Sequence, residues 1–321
     1  MKSERVALQQ ALAANPSWTV IGHNIPDGDC TGSVLAVFQG LKALGKQVTA
    51  VVEDGLPEMY HFLDGADQIG SLADMPGVAE CIIYVDCADR NRVGEKLQRI
   101  LPEPRLIVNI DHHVSNDFFG QVNLVDAEAS STCELVYRIF SDLGIAIDSR
   151  IAGPLYCGIV ADTGGFQYLS TSPETHRVTA ELLKKIDDLA HLRNRIYESK
   201  SRTELEVLRA SLGSLRFSED GRIAWMELSY DTLNQLGAVN KNYEGIINHA
   251  RSVDSVEVAI MFREFEPGRV KIGFRSKGIL DVNQLAAGFG GGGHPRAAGA
   301  QINGQLDHVR SQVIAAVKEA L

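Results

Sequence analysis

Arg105-Leu-Ile-Val-Asn-Ile-Asp-His-His-Val-Ser-Asn116 starts as an apolar run and ends in an Asp-His-His triplet. An apolar run that stops at a carboxylate and turns polar reads as a buried strand with chemistry at its end. The pattern recurs upstream. Trp18-Thr-Val-Ile-Gly22 leads into His23-Asn-Ile-Pro-Asp27-Gly-Asp29-Cys-Thr-Gly-Ser33, and Cys81-Ile-Ile-Tyr-Val85 leads into Asp86. Between them Gly32 to Leu44 carries a helical apolar pattern, and Gln47 to Val52 is a further strand. Strands alternating with helices predict an α/β fold with a parallel sheet covered on both faces. In such sheets ligands bind beyond the carboxyl ends of the strands, where these polar residues lie.

Downstream, the apolar stretch Ile151 to Ala161 reads as helix or strand and ends in Asp162-Thr-Gly-Gly165. Ser130 to about Ala210 is mostly helical in pattern, with a charge-rich part from Glu181 to Arg209. Strand signals return at Arg222–Leu228, Val256–Phe262 and Arg269–Phe274, followed by a glycine-rich loop at Gly288–Gly293 and a C-terminal helix. The expected organisation is an N-terminal parallel-sheet domain over 1–188, a helical linker over 189–213, and a smaller α/β domain over 214–321.

A length of 321 residues suits two domains. With 45% hydrophobic and 22% charged residues the chain is not disordered. Its longest near-apolar run, the 11 residues 151–161, is too short to cross a membrane. The N-terminus has no apolar core of the signal-peptide kind. Five cysteines, an odd number without a CxxC, read as reduced thiols of a cytoplasmic protein. A net charge of −10 offers no broad basic surface, so a nucleic-acid partner should be short or held at one local site. No strong interface signal is visible, and a homodimer is the default oligomer.

The chemistry concentrates in Asp27, Asp29, Asp86, Asp111 and Asp162, together with His23, His112 and His113. Five converging carboxylates would push one another's pKa values up unless a cation lay among them. Mixed imidazole and carboxylate ligation suits Mn²⁺, with Zn²⁺ and Fe²⁺ next and Mg²⁺ less well matched. More than four such ligands implies two metals sharing a bridging carboxylate. Each residue alone has a plainer reading. Asp86 or Asp162 after a strand is often a helix N-cap. Asp111 can simply hydrogen-bond an imidazole. His112 and His113, adjacent on a strand, should point to opposite faces, leaving at most one as a ligand. Cys30 could offer a thiolate, but Asp27 and Asp29 at alternate positions face one way, which leaves Cys30 as a buried packing residue. Joint occurrence at successive strand ends favours the metal site.

The segments HNIPDGD-CTGS, VDCAD, DHHVSN and GIVADTGGF, in this order across roughly residues 20–170, resemble the four motifs of the DHH phosphoesterase superfamily. Gly290 to Ala300, GGGGHPRAAGA, resembles the GGGH motif of the DHH-associated substrate-binding domain. The subfamily most similar is the NrnA type, nanoRNases (oligoribonucleases) that also dephosphorylate 3′-phosphoadenosine 5′-phosphate (pAp). The resemblance implies a hydrolase with two Mn²⁺ ions, other divalent metals being alternatives. His23 and Asp27 would hold one ion, Asp29, His112 and Asp162 the other, and Asp86 would bridge them. Asp111 would orient and polarise an imidazole ligand. His113 would face the scissile phosphate, and Asn116 would order the loop or touch phosphate. In the second domain Gly291, Gly292 and Gly293 would offer backbone N–H groups to an anion, His294 would touch phosphate, and Arg275 with Ser276 would grip the far end of the nucleotide. The implied substrates are short RNA oligonucleotides and pAp, with no long nucleic acid and no membrane. The alternatives are a cyclic di-AMP or linear pApA phosphodiesterase and, lower, a non-catalytic nucleotide-binding protein on the same scaffold.

Overall fold

The computed structural model describes residues 2–74, 77–239 and 245–321. It divides into two compact units, one ending at Glu198 and the other starting at Ser199. The first unit begins with α1 (Lys2–Ala14), β1 (Ser17–Ile21), α2 (Gly28–Ala43) and β2 (Gln47–Val51). β3 (Cys81–Val85), α3 (Glu95–Ile100), β4 (Leu106–Asp111) and β5 (Val122–Val125) follow. α4 (Thr132–Leu143), α5 (Ser149–Asp162), α6 (Pro173–Leu183) and α7 (Leu189–Tyr197) complete it. The five strands are all parallel, in the order β2-β1-β3-β4-β5.

That order places a topological switch between β1 and β3. The chain leaves β1 toward β2 on one side and returns to build β3, β4 and β5 on the other. The crevice outside the strand ends at such a point is where α/β sheets bind ligands. Both faces are covered, as an all-parallel sheet requires. Val20, Ile83, Val85, Val108 and Ile110 join the helical core with α2, α4 and α5. Ile21, Ile82, Tyr84 and Ile107 point the other way and pack with Val93 and Leu97 of the α3 side. The segment 151–161, open between helix and strand in sequence, is the interior of α5 with Pro154 inside it. β5, only four residues long, lacks a sequence signal of its own.

The second unit opens with α8 (Arg202–Gly213), β6 (Arg216–Phe217), β7 (Ile223–Leu228), α9 (Tyr230–Gln235) and α10 (Ile246–Arg251). β8 (Val258–Glu266), β9 (Arg269–Ser276), α11 (Val282–Ala287), β10 (Gly292–His294), β11 (Ala297–Asn303) and α12 (Leu306–Ala320) follow. Its sheet runs β10-β11-β9-β8-β7-β6 and is antiparallel except for the β7–β8 pair. α11 and α12 cover one face, and α8 and α10 the other. The glycine-rich loop expected over 288–293 is shorter than that, because Gly292 and Gly293 already pair with β11. The stretch 189–213 is shared between the units: Leu192 lies in the first core and Val207 in the second. No described helix is long and apolar enough to cross a membrane.

Candidate metal centre

The centre is built at the carboxyl ends of β1, β3 and β4, on the switch point. After β1 the backbone must pass close under α2. A Cβ on Gly22 would lie 2.5 Å from Cys30 Sγ and 2.8 Å from Val34, so glycine is required. Asp27 Oδ1 accepts the N–H groups of Asp29 and Cys30, both at 3.0 Å, and starts α2 at Gly28. The helix therefore begins four residues before the apolar pattern suggested, because the cap rather than the periodicity sets its start. This corrects the picture of Asp27 and Asp29 at alternate extended positions: Asp27 is the N-cap and Asp29 sits in the first helical turn. Asp29 is fully buried, and its carboxylate accepts the N–H groups of Thr132 at 2.6 Å and Cys133 at 2.9 Å, in the first turn of α4.

Asp86 follows β3 with φ +59°, a left-handed conformation that a non-glycine residue seldom adopts. Its N–H donates to Ile110 O, and its Oδ1 accepts the Thr132 hydroxyl at 2.9 Å. Around it two sets of donors meet. His23 Nε2 lies 3.5 Å from Asp86 Oδ2 and 3.9 Å from Asp27 Oδ1. His112 Nε2 lies 3.3 Å from Asp162 Oδ2, 3.8 Å from Asp29 Oδ2 and 3.9 Å from Asp86 Oδ1. The structure thus brings His23, Asp27, Asp29, Asp86, His112 and Asp162 together, with Asp86 in both sets.

The donor set fits divalent ions. His23 Nδ1 is 2.8 Å from Asn24 O and His112 Nδ1 is 3.2 Å from Ala129 O. A carbonyl accepts only, so each Nδ1 carries a proton, and Nε2, which faces the carboxylate oxygens, is the nitrogen placed to ligate an ion. Most of those contacts exceed hydrogen-bond length, and a cation between them would satisfy both sides. The charge balance says the same. Burial pushes Asp29 well above the usual carboxylate range, and Asp86 and Asp162 push it further. Asp162 is raised by burial to about 6, with His112 opposing and Asp27 and Asp86 adding to the rise. Burial would lower His112, but Asp162, Asp29 and Asp86 outweigh it and raise it to about 9. Asp86 is held low against its burial by the hydrogen bond from His23 and by the charges of all three imidazoles. Without a cation, burial and mutual repulsion raise Asp29 and Asp162, and the surrounding carboxylates raise His112. Cys30 lies beside His23, and burial pushes its thiol up to about 11.

Two expectations for the triplet are corrected. β4 ends at Asp111, so strand alternation does not separate the histidines. Their rings stack edge-on with centroids 4.9 Å apart, and His113 Nδ1 comes within 3.7 Å of Asp86 Oδ1. Asp111 does not orient the ligand imidazole of His112. Its Oδ1 is 2.7 Å from His113 Nδ1, and its Oδ2 accepts from Asn116 Nδ2 at 2.6 Å. Asn116 is buried and also donates to Asn109 Oδ1 and Cys87 O, while its own Oδ1 accepts the Phe118 N–H. It orders the loop and holds Asp111, and no part of it is left to touch phosphate. Sequence reading missed Thr132 and Cys133. The Ser130-Ser131-Thr132 run ahead of a helical pattern is an N-cap signature and was the available signal.

Residues 17–159 match the DHH family, N-terminal domain, and residues 226–319 match the DHHA1 domain. A bifunctional oligoribonuclease and PAP phosphatase NrnA from Thermus thermophilus is 31% identical over 93% of this chain and 88% of its own length. The chain belongs to the DHH family. A protein of the same description from Bacillus subtilis is 29% identical, covering 87% of each chain. The crystal structure of an exopolyphosphatase-related protein from Bacteroides fragilis covers 100% of this chain and 96% of its own, with 25% identity and a TM-score of 0.88. As a DHH protein the chain is a hydrolase.

The DHHA1 unit holds the remaining candidates of this DHH protein. His294 pairs with Ala297 in the β10–β11 hairpin. The N–H of Gly290 goes to Ala287 O and that of Gly291 to Ala286 O, so both close the end of α11. Neither is available to an anion, which corrects the expectation for Gly291. A Cβ on Gly293 would lie 2.5 Å from Ala297 O, so this glycine serves the close pairing of the hairpin. Arg275 lies half-buried on β9, where its Nη1 donates to Phe274 O. Ser276 is 2% exposed and its hydroxyl accepts the Gly278 N–H, so it secures a turn. Arg296 folds back over Gly278 and donates to Lys277 O.

Proposed function

We propose that this DHH protein is a Mn²⁺-dependent phosphoesterase that hydrolyses very short RNA oligonucleotides, about two to five nucleotides long, to mononucleotides and dephosphorylates pAp. The observation that carries the reading is the meeting of two imidazoles and three further carboxylates around Asp86. The names of the Thermus thermophilus and Bacillus subtilis relatives support the substrate class. His23 and Asp27 would hold one ion, Asp29, His112 and Asp162 the other, and Asp86 both. Bound ions supply a lowered water pKa and positive charge against the phosphate, and the mixed nitrogen and oxygen donors suit Mn²⁺.

The chain's own residues do the positioning. Thr132 fixes Asp86 from behind through its hydroxyl. The first N–H groups of α4 hold the Asp29 carboxylate in place. His113, steered by Asp111, donates toward the phosphoryl oxygens as charge builds on them. Burial would lower its pKa, but the Asp111 hydrogen bond and the Asp86 charge raise it above the ordinary imidazole value, which favours the protonated donor. In the DHHA1 unit His294 and Arg275 bind the phosphates of the nucleotide. The net charge of −10 opposes long polyanions. A cytoplasmic location agrees with five free, buried cysteines.

The test compares initial rates on pApA, a 5-mer RNA, a 24-mer RNA, pAp and cyclic di-AMP, with Mn²⁺ and with EDTA. Fast mononucleotide release from the two short RNAs, pAp turnover and a slow 24-mer are expected, all abolished by EDTA. Preference for cyclic di-AMP would move the protein to the second-messenger phosphodiesterases. Absence of EDTA-sensitive hydrolysis on every substrate would overturn the reading.

A further inference from the structure

The sulfur of Cys30 sits among the ligands of the His23 half of the centre. The ligand atoms of His23, Cys30 and Asp86 all lie within 4.8 Å of one another, and all three residues are buried. Three donors at that spacing can reach a common ion, since metal–ligand bonds of about 2.0–2.3 Å put neighbouring ligands about 3–4 Å apart. Among the described residues Cys30 is the cysteine that falls in such a group. The sulfur is also directed. Gly22 leaves it room, because a Cβ there would overlap it. Its contact to His23 O, at 3.9 Å, is long and weak for a thiol donor, and the sulfur also lies against the His23 side chain, on the side of the ligand atoms. The other sulfurs near the centre are engaged more closely: Cys133 Sγ is 3.4 Å from Asp29 O, and Cys87 Sγ is 3.3 Å from Val85 O.

We propose that Cys30 is a latent thiolate ligand that draws soft divalent ions, Zn²⁺ and Cd²⁺, into the His23 half of the centre through a bond that Mn²⁺ does not use. The inference rests on the metal-centre reading above and goes beyond it by making the centre's response depend on the ion. Thiolates select soft ions, whereas Mn²⁺ prefers oxygen and imidazole donors. On binding, a metal–sulfur bond forms, the S–H bond breaks and the proton leaves to solvent, with no change in oxidation state. Imidazole, carboxylate and thiolate together form a donor set of the kind that suits a four-coordinate Zn²⁺. Soft ions are thereby captured more tightly than the hard-donor ligands alone would hold them, and they displace Mn²⁺ from that half.

The experiment titrates the metal-free full-length protein with Cd²⁺. It follows the thiolate-to-cadmium charge-transfer absorbance and counts bound cadmium by mass spectrometry. Wild type should bind Cd²⁺ and develop the band. Cys30→Ser should still bind Cd²⁺ but lose the band, and Cys30→Ala, which places no hydroxyl in the buried site, should do the same. Bound cadmium without a band in wild type, or a band that persists in both variants, would overturn the role of Cys30 while leaving the metal centre standing. If wild type binds no Cd²⁺ at all, the metal centre itself fails, and this proposal with it.

Discussion

At Asp111 two hydrogen bonds set the direction of a ring. Oδ2 is anchored by Asn116, which is itself tied to Asn109 and Cys87 O, and Oδ1 receives His113 Nδ1–H. The fully buried carboxylate thus turns a chain of amides into an oriented, charge-stabilised imidazole. Asp111→Asn keeps the shape and removes the charge. We expect kcat to fall by about 10–100-fold, the range for groups that orient catalytic side chains in metal sites, with metal content unchanged. The pH profile gives the sign. Asp111 raises the His113 pKa, and a protonated donor is lost as pH rises through that pKa. Removing the charge lowers the pKa, so the alkaline limb of kcat should move to lower pH. A variant with wild-type kcat and an unmoved limb would remove Asp111 and His113 from the chemistry.

Each of the four motif segments is an exit from a regular element, and the backbone is strained at each. The described non-glycine residues with left-handed φ are Ile25 (55°), Asp86 (59°), Phe118 (56°) and Phe166 (69°), one in or just after each segment. Such conformations cost about 1–3 kcal/mol each and persist only where the surroundings impose them. Two of these exits adjoin α2 and α5, which pack at glycine distance. A Cβ on Gly32 of α2 would lie 2.4 Å from Pro154 O, a backbone atom of α5 that cannot swing aside. Gly153, one residue earlier on α5, has nothing within 4 Å of its would-be Cβ. Gly32→Ala should therefore destabilise by about 1–3 kcal/mol, as overpacking does. Gly153→Ala should stabilise by about 0.5–1 kcal/mol through helix propensity. Urea unfolding of both variants checks the pair, and two changes of the same sign would refute the packing argument. These packing distances were beyond sequence reading. Strands β1 to β4 were legible as apolar runs, and β3 and β4 in particular stop at the carboxylates Asp86 and Asp111, which is a local signal. The direction of His112 and His113 was not, since it depends on where β4 stops. Nor was the grip of α4 on Asp29, a contact across about a hundred residues of chain. In the second unit β10 and β11 were hidden because glycine and alanine carry no strand propensity, and tertiary pairing alone makes them strands.

At the scale of the whole molecule, the proposed function divides the work between the two units. All six proposed metal ligands fall between His23 and Asp162, inside the first unit, whereas His294 and Arg275 belong to the DHHA1 unit. Metal retention and substrate retention should therefore be separable by mutation. The first depends on ligand atoms held by Asn24 O, Ala129 O and the N–H groups of Thr132 and Cys133, which lie within the first unit. On the proposed reading the second would depend on His294 and Arg275 holding phosphate through charge-assisted hydrogen bonds, each worth about 1.5–3 kcal/mol. His294→Ala removes one such bond and should raise KM for pApA and pAp by about 10–100-fold, the equivalent of that energy. Manganese content, measured on the same preparation, should stay at the wild-type level. A loss of manganese in parallel with activity would mean that His294 supports the ions instead of the nucleotide, and the separation of roles between the units would have to be abandoned.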